Sequence, residues 1–530
     1  MKRSRHLKNF GITIFSLIII FAQHSCKKKG NYNQRITVAS SGKVESIDPA
    51  RINTLKSYQL LNALGDTLYE LNEQGKLIPK LAAEMPIISE DKLKISIKLK
   101  KNILFHDGTS FDSSAMKFTI ERFQKIGTAN YLLDNKIKSI ETPQKYLLII
   151  NLNKPSSSFI GLLTSLNLTA ISPSFYKNHF DKFLNEEFIG TGKYRLERFN
   201  NDLQILSPNK NYWGIKAKND GINFIGYNNS ATLYGALRSK QIDVLLSNSI
   251  EDTLRNKLRL LSNKNEFKEG YSQPTEISFI SLRSNSKPLK NNFIRLAIAK
   301  SLNKELISKK VSYGLRKPAV SIIPSILKKD TDTTWPNYDP LEAIAIFRKQ
   351  GYCNGNILNL DLTYRSNVPT DKLIAFYWQQ SVKLLMKECF SIKINGVEST
   401  TIYKNLKEGI YPAVILDWTG AYSDPEAYLS PLLKCNNIEK EVCLEGESVF
   451  SGSFWASKKV EELFLESESI YGLNRLNKLI EIEKIASKSL PYIPIWISSQ
   501  KAWSQNYISK PRFNSAGRII MSELEIINEK

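Results

Sequence analysis

Apolar and polar residues alternate over residues 93–99, and this period of two predicts a half-buried β-strand. The residues at 106–108 are His-Asp-Gly, which can adopt the positive φ that a tight turn requires. Either Asp112 or Ser113 can then cap a helix. Apolar residues recur in this helix at helical spacing and predict one buried face, formed by Met116, Ile120 and Phe123.

Strands and helices alternate along the rest of the chain. Residues 35–40 predict a first strand and residues 57–71 a helix. Further helices are predicted after Asn303 and at Asp339, because each of these capping residues precedes an apolar face. Neither an internal repeat nor a long low-complexity linker interrupts the sequence. This pattern is typical of a two-lobed protein whose chain crosses between the lobes through short segments.

A buried strand is predicted over residues 411–416, followed by a polar loop over 417–425. Ligands commonly bind where the strands of an open α/β sheet end. Trp418 and Tyr422 give this loop broad aromatic faces with polar tips, which suit a partly wet crevice for an organic solute. The alternative is that both rings simply pack into the core.

The amino terminus has the pattern of an export signal. Basic residues precede an apolar run over 10–22, which is shorter than the span of about 20 residues that crosses a membrane. Residues 1–26 therefore predict a signal peptide with a lipobox-like end, in which Cys26 is lipid-modified after the small residue Ser25. Gln23 departs from the aliphatic residue usual at its position. Ordinary cleavage nearby and an uncleaved anchor are the alternatives.

The composition is that of a large globular protein. The chain has 530 residues, 42% hydrophobic and 10% aromatic, enough for two or three domains with sizeable cores. Its formal net charge is +23, but lysine and arginine are spread along the sequence instead of gathered into one stripe. This distribution favours a solvated basic surface over a site for an acidic partner, so we predict no nucleic acid as a partner.

Four cysteines follow Cys26, and an even number in an exported chain is compatible with disulfides. Several pairings are open. The pair Cys435 and Cys443 is favoured, because these residues are close in sequence and flank a polar loop. The cysteine and histidine spacing suggests no metal cage, so His106 is predicted to be a turn residue. We predict no metal site and no cofactor.

No catalytic motif stands out in the sequence. A Gly-x-Ser-x-Gly elbow, a His-Glu-x-x-His helix and a Walker-type phosphate loop are all missing. Residues 190–192, Gly-Thr-Gly, are predicted to form a tight turn, since strand-like residues follow them. We therefore predict a protein that is not an enzyme. The alternative is an exported hydrolase of peptides or glycans, with Asp417 and Asp424 as paired carboxylates.

An ordered series of motifs resembles family 5 of the extracellular solute-binding proteins, which capture peptides, nickel chelates and other solutes for ABC importers. The most distinctive motif is the strand, turn and helix start over residues 99–122. The others follow in the family's order over essentially the whole mature chain. They are 47–49, 75–82, 190–196, 209–214, 236–244, 293–299, Trp418 with Asp424 and Pro425, and 490–495.

This resemblance implies a fold and a domain organisation. The fold class is α/β, a bilobed periplasmic-binding-protein type II-like fold with an additional inserted domain. Lobe I would combine residues 31–66, 187–275 and 495–530. The inserted domain II would span 67–186, and lobe III would span 276–494.

The resemblance also implies a function and partners. The chain would be an extracytoplasmic receptor that closes on a peptide or another small solute by a hinge movement. It would act as a monomer together with an ABC permease and its ATPase subunits, in the bacterial cell envelope, on the periplasmic or extracellular face. Cys26 would anchor it to the membrane. A sensor or peptide chaperone uncoupled from any transporter is the alternative on the same fold.

The resemblance places the ligand at the loop after the strand 411–416. The residues assigned to the ligand are Trp418, Thr419, Gly420, Ala421, Tyr422 and Asp424. In peptide-binding members an aspartate three places after the tryptophan pairs with the peptide's ammonium group, and here this position is Ala421. A charge-assisted hydrogen bond of about 1.5–3 kcal/mol is therefore missing from its usual place. This loss favours other solutes, such as metal chelates, opines and glycosidic compounds, without excluding peptides.

Asp424 does not obviously replace the missing aspartate. It belongs to an Asp-Pro turn that family members with different ligands share, so a turn or cap acceptor is predicted first and a ligand contact second.

Overall fold

The computed structural model of the chain describes residues 35–133, 135–200, 202–247, 250–328 and 335–527. Strands and helices are interspersed throughout this part of the chain, which is a mixed α/β protein. The predicted signal peptide over 1–26, including Cys26, lies outside the described residues. No helix in the described ranges has the length and apolar character needed to cross a membrane.

The strands, numbered along the chain, are β1 (Ile36–Ser41), β2 (Tyr69–Leu71), β3 (Leu77–Pro79), β4 (Ile87–Ile88), β5 (Lys94–Lys98), β6 (Ile137–Gln144), β7 (Leu147–Leu152), β8 (Tyr194–Phe199), β9 (Leu203–Pro208), β10 (Ile222–Tyr227), β11 (Val244–Leu246), β12 (Lys268–Leu282), β13 (Lys317–Pro318), β14 (Leu358–Arg365), β15 (Phe390–Val397), β16 (Ala413–Thr419), β17 (Asn437–Glu439), β18 (Val442–Glu445) and β19 (Tyr492–Ser504).

The α-helices are α1 (Leu55–Leu64), α2 (Ser113–Ile126), α3 (Phe159–Leu162), α4 (Pro173–Tyr176), α5 (Ser230–Arg238), α6 (Asp252–Asn263), α7 (Asn292–Lys300), α8 (Lys304–Val311), α9 (Pro340–Lys349), α10 (Pro369–Leu385), α11 (Ser399–Asn405), α12 (Glu426–Leu433), α13 (Glu447–Phe450), α14 (Lys458–Glu468) and α15 (Gly472–Ser489). Short 3₁₀ turns occur at Asn130–Leu132, Leu166–Leu168, Lys177–His179, Leu406–Glu408 and Met521–Glu523.

One large sheet runs through the described chain. Its strand order is β15-β14-β16-β12-β19-β11-β1-β10-β9-β8, and β13 also pairs with β19. The two longest described strands, β12 and β19, are antiparallel neighbours in the middle of this sheet. Their pairing shifts register near Tyr271, Pro274 and Ser278. Because such irregularities let strands bend, the centre of the sheet is suited to act as a joint between its two ends.

Separate hydrophobic cores lie along this sheet. One core consists of buried residues between 277 and 496, from β12, β14 to β16, and the helices that cover them. Another core joins β1 and β8 to β11 with α1 and residues 502–524. A third joins the four-stranded sheet β4-β5-β7-β6 to α2. The protein therefore has two lobes and an additional packed layer, while the domain boundaries given above stay a prediction.

The strand, turn and helix predicted around residues 93–126 are confirmed. Strand β5 is followed by a turn at 106–108 and by α2, whose cap is Asp112 and not Ser113. The Asp112 side chain accepts a hydrogen bond from the Ala115 backbone N–H. The predicted apolar face is buried against the four-stranded sheet.

A buried ion pair connects two of the sequence motifs. Arg122, at the end of the stretch 99–122, donates two hydrogen bonds of 2.8 and 2.7 Å to the carboxylate of Asp48. The two side chains are 1% and 0% exposed. Asp48 also accepts hydrogen bonds from the backbone N–H groups of Ala50 and Leu184. The pair thus fixes α2 to the segment that follows β1.

One predicted helix is shorter than expected. The helix predicted over 57–71 is α1, which ends at Leu64. Residues 69–71 instead form β2, which pairs with β3 in a short antiparallel hairpin. The tertiary pairing of this segment overrides its helical pattern, and the prediction of its last turns was wrong.

One predicted strand is longer than expected. The strand predicted over 411–416 is β16, which continues to Thr419, so that Trp418 and Thr419 lie on the strand and not in the loop. The extension comes from pairing with β12, where Ile277 lies opposite Trp418 and Glu276 opposite Thr419. The strand therefore carries these residues into the region between the two lobes.

Candidate functional site

A cavity of about 530 Å³ is lined by parts of the chain that are far apart in sequence. The lining residues come from 52–71, 129–167, 275–428 and 515–518. These segments belong to or adjoin all three of the cores described above. The volume lies within the range of about 300–1,000 Å³ that is usual for small-molecule sites. The cavity is therefore the candidate binding site.

The segment predicted to bind the ligand lines this cavity. Trp418, Thr419, Gly420, Ala421 and Tyr422 all contribute to its wall. They follow one another at the end of β16 and in the loop before α12. The structure thus brings five of the six predicted ligand residues together at one wall of the cavity.

Asp424 is the sixth, and it is engaged within the protein. Its carboxylate accepts two hydrogen bonds of 2.8 Å from Arg475 and another of 2.8 Å from the Glu426 backbone N–H. Burial raises the pKa of Asp424, and the Arg475 guanidinium opposes this rise. Asp424 is not among the residues that line the cavity. These contacts match the turn and cap role that the sequence predicts for Asp424, and they occupy both oxygens of its carboxylate.

The aromatic side chains of the cavity are held in place by their polar tips. The Trp418 indole N–H donates to the carbonyl oxygen of Ala427 at 2.8 Å. The Tyr428 hydroxyl donates to the carbonyl oxygen of Thr275 at 2.8 Å. Because these polar tips are already hydrogen-bonded, a solute would contact the ring faces and edges of the two residues. A Cβ atom at Gly420 would lie 2.6 Å from a Tyr428 ring carbon, so this position requires glycine.

Tyr422 lies between two parts of the protein. Its ring packs against the core of residues 277–496 and also against the core that contains α2. Burial, followed by the nearby carboxylates of Glu426 and Asp424, raises the pKa of Tyr422 well above its ordinary value. The hydroxyl therefore stays protonated and can serve as a hydrogen-bond donor.

Acidic and basic side chains meet at one wall of the cavity. Asp417 forms an ion pair with Arg365 at 2.7 Å, and Arg365 also binds Asp371 at 2.7 Å. Glu276 lines the cavity from the neighbouring strand β12. Burial raises the pKa of Glu276, and the negative charge of Asp417 adds to this rise. A cationic group that entered here would favour the ionised form of Glu276.

A positive charge is supplied by Arg518, in the segment after β19. Its guanidinium lies over the ring of Tyr58, 5.5 Å from the ring centroid. Burial lowers the pKa of Arg518 to about 10. At neutral pH the guanidinium remains charged, and it lines the cavity.

Glu276 and Arg518 were missed by the sequence analysis. A signal existed for Glu276, because it is a charged residue in front of the apolar run 277–282. Arg518 follows an ordinary Ala-Gly turn and carries no comparable pattern. Its place in the cavity depends on contacts between the ends of the chain, which local patterns do not reveal.

The remaining cysteines form two disulfides. Cys435 and Cys443, the pair favoured from the sequence, are bonded at an S–S distance of 2.02 Å. Cys353 and Cys389 form the second bond. No group of histidine, cysteine or acidic residues that could hold a metal ion occurs within the described ranges.

A two-lobed α/β fold with a ligand-sized cavity between its cores defines a bilobed solute-binding protein. The chain belongs to the bacterial extracellular solute-binding proteins, family 5, and the part of this family described as its middle region matches residues 76–440. Members of this class are receptors that serve ABC importers. The family consists of binding proteins, and the class is extracytoplasmic.

Individual relatives agree with this assignment. The glutathione-binding protein GsiB of Escherichia coli (strain 536 / UPEC) is 24% identical over 473 residues, which cover 87% of this chain and 88% of GsiB. The NikA structure from Brucella suis in complex with Fe(III)-EDTA has a TM-score of 0.81 and 20% identity, covering 93% of this chain and 100% of that one.

A peptide complex has the same fold. The periplasmic binding protein DppA from Helicobacter pylori, bound to the peptide STSA, has a TM-score of 0.75 and 21% identity. The match covers 93% of this chain and 98% of DppA. The fold is therefore shared by proteins whose bound ligands, a peptide and a metal chelate, differ widely in chemistry.

Proposed function

We propose that this chain captures a peptide-sized solute in the cavity between its lobes and presents it to an ABC importer. The observation that carries the proposal is that the segment 418–422 lines a cavity of about 530 Å³. Aromatic faces at Trp418 and Tyr422 suit organic solutes of several kinds, because such faces grip apolar surface without requiring one fixed polar partner. The relatives named for glutathione, a peptide and a metal chelate indicate which solutes to test first.

Closure of the two lobes over the solute is the proposed mechanism. The central strands β12 and β19 connect the lobes, and their register shifts provide a place to bend. A solute that contacts both lobes in the closed state favours that state by its differential affinity. The closed surface would then be recognised by the permease, and the separate ATPase subunits would supply hydrolysis. The receptor itself is proposed to act as a monomer and without a cofactor.

Contacts between the predicted inserted domain and the predicted lobe III support this mechanism. The Ser157 hydroxyl, in the predicted inserted domain, shares its single proton between the carbonyl oxygens of Glu468 and Ile470, in the predicted lobe III. The Ser157 backbone N–H also donates to the Glu468 carbonyl oxygen at 3.0 Å. The Ser423 backbone N–H lies 3.5 Å from the Thr164 hydroxyl oxygen. These hydrogen bonds join the two sides that would separate when the cavity opens.

A lipid anchor at Cys26 is proposed for the location of the protein. Acyl chains contribute about 0.8 kcal/mol per buried CH₂, so several chains would hold a large soluble domain on a membrane. Cells given a labelled lipid precursor should incorporate the label into the wild type and not into Cys26→Ser. An unlabelled wild type would contradict the anchor and leave solute binding untouched.

Binding itself is tested with purified protein and a panel of solutes. The panel contains glutathione, mixtures of dipeptides and tripeptides, nickel with histidine, and Fe(III)-EDTA. We expect one class to raise the melting temperature and to be retained in native mass spectra, without being turned over.

The variant Trp418→Ala should lose about tenfold or more in affinity for the retained solute, because it removes the aromatic face. Trp418→Phe keeps a ring and serves as the matched control. Retention of no solute by the wild type, or unchanged affinity of Trp418→Ala, would contradict the proposed site.

A further inference from the structure

Arg518 is a positive charge at the cavity without an acidic partner. Its guanidinium forms no ion pair and donates no hydrogen bond to any residue that the structure describes, while the ring of Tyr58 covers one face. Arg518 is half-buried, and a charge that loses part of its hydration without gaining a partner is costly. A guanidinium binds a carboxylate through two parallel hydrogen bonds. A carboxylate from outside the protein would therefore satisfy Arg518.

Glu276 is a negative charge at the same cavity that lacks a basic partner of its own. Three arginines act on its carboxylate electrostatically, but each is already bound to an aspartate. The pairs are Arg255 with Asp252, Arg316 with Asp252, Arg365 with Asp371, and Arg365 with Asp417. Glu276 makes no ion pair or side-chain hydrogen bond within the described ranges. It is the fourth carboxylate beside three guanidinium groups, so one negative charge is left without compensation when all of them are ionised.

The two uncompensated charges lie near one fixed side chain. Glu276 raises the pKa of Tyr428 and Arg518 lowers it, so both act on this ring. Tyr428 is buried and held by its hydrogen bond to the carbonyl oxygen of Thr275. Glu276 and Arg518 do not pair with each other, and both line the cavity. The cavity thus offers one negative and one positive group to the same solute.

We propose that Arg518 binds a carboxylate of the solute and that Glu276, beside Asp417, binds its ammonium group. The solute class is then a zwitterion derived from amino acids, such as a short peptide. This inference rests on the proposed function and specifies its ligand. Glu276 lies on β12 opposite Thr419, the last residue of β16, and Ala421 follows two residues later in the loop. The acidic anchor that is missing at Ala421 is therefore supplied from the adjacent strand.

Three tripeptide mixtures of random sequence test this proposal: unmodified, N-acetylated and C-amidated. Each is mixed with the purified wild type, and retained peptides are identified by native mass spectrometry after gel filtration. A retained peptide and its two blocked forms are then measured by calorimetry. Loss of either charge on the peptide should weaken binding by about 10- to 100-fold, as expected for one hydrogen-bonded charge.

Variants of Arg518 and Glu276 test which terminal charge of the peptide each residue binds. Arg518→Met should weaken binding of the free peptide and abolish the preference for the free carboxylate over the amide, while the preference for the free amine remains. Glu276→Gln should do the reverse. Arg518→Lys keeps the charge and should retain part of the carboxylate preference, which covers the case in which Arg518→Met fails to fold.

Matched controls come from the same elements. Arg512→Met removes an exposed arginine of the Arg518 segment, one that pairs with Glu73 and Glu523. Glu269→Gln removes another acid of β12, one that pairs with Lys501. Both controls should bind all three peptide forms as the wild type does.

The outcomes separate the two proposals. If the wild type binds blocked and free peptides equally, or if the variants keep both preferences, the anchors are wrong and the receptor function stands. If only a solute without an ammonium group is retained, such as Fe(III)-EDTA, the zwitterion is wrong and the receptor function again stands. If no solute of any class is retained, both proposals fail.

Discussion

At the scale of single residues, His106 shows a polar side chain held by the backbone of the neighbouring segment 190–192. It is 3% exposed, its Nε2 hydrogen-bonds to the Gly192 carbonyl oxygen at 3.1 Å, and its Nδ1 accepts from the Gly190 N–H at 3.4 Å. This arrangement requires the neutral ring with the proton on Nε2. The prediction of a turn residue is confirmed for His106, and the ring also fastens residues 190–192, which form a bend and not a hydrogen-bonded turn.

His106 predicts a pH dependence of stability. Burial lowers the pKa of His106 to about 4, and the charge of Arg195 adds to this effect. In the unfolded chain a histidine has a pKa of about 6.5. Between these values the unfolded state binds a proton that the folded state does not. The stabilisation is therefore complete above about pH 6.5 and is lost as the pH falls towards 4, by about 3 kcal/mol in total.

Urea unfolding at pH 7 and pH 4.5 measures this contribution. His106→Gln keeps a donor and an acceptor, and it should lose less stability on acidification than the wild type, by about 2–3 kcal/mol. The exposed His179 gives the control His179→Gln, which should follow the wild type. Equal losses for His106→Gln and the wild type would show that His106 does not titrate as proposed.

The buried pair of Asp48 and Arg122 predicts a large stability effect. Arg122→Met leaves the Asp48 carboxylate buried without its cation, so the free energy of unfolding should fall by about 3–5 kcal/mol. The control is Arg238→Met, which breaks an exposed pair with Glu266 whose side chains are 44% and 42% exposed. That change should cost less than about 1 kcal/mol. Similar losses in the two variants, measured by denaturant unfolding, would contradict this account.

At the scale of elements, local sequence patterns correctly predicted those features that residues close in sequence determine. The cap and apolar face of α2 follow from Asp112 and its helical spacing, and the structure has both. The early end of α1 and the extension of β16 depend on strands elsewhere in the chain, which a local pattern does not contain. The candidate site also contains residues that a local motif predicts and residues that only long-range packing places there. The segment 418–422 carries a motif, whereas Glu276 and Arg518 reach the cavity only through long-range packing.

The two disulfides predict different contributions to stability. The bond between Cys353 and Cys389 spans 36 residues, and the bond between Cys435 and Cys443 spans 8. In the chain-entropy relation the longer loop contributes about 4 kcal/mol and the shorter about 2.5 kcal/mol. Denaturant unfolding of the two double serine variants should show the larger loss for residues 353 and 389. The opposite order would indicate that packing around the shorter loop outweighs loop entropy.

At the scale of the whole molecule, the contacts of Ser157 predict an effect on closure. Ser157→Ala removes the hydroxyl that bonds to the carbonyl oxygens of Glu468 and Ile470 and keeps the hydrogen bond from the backbone N–H to Glu468. A loss of about 1 kcal/mol would lower the ratio of closed to open molecules about fivefold and weaken solute binding similarly. Calorimetry with the retained solute measures the affinity, and small-angle scattering measures the size of the free protein.

The control for this prediction is Ser391→Ala. Ser391 donates to Asn359 on the exposed face of the far strands β14 and β15, away from the cavity. It should bind the solute as the wild type does. Unchanged affinity and size for Ser157→Ala would show that its contact persists when the lobes separate.

The order of strands in the large sheet also determines when this sheet can be completed during synthesis of the chain. β1 is made first, yet its partners are β10 and β11, and both β11 and β12 must wait for β19 near the carboxyl end. Such long-range pairing forms slowly, because distant segments must first meet. Neither lobe can complete its sheet until the last strand has emerged. For a chain that is exported as proposed, slow completion of the sheet would favour translocation before folding.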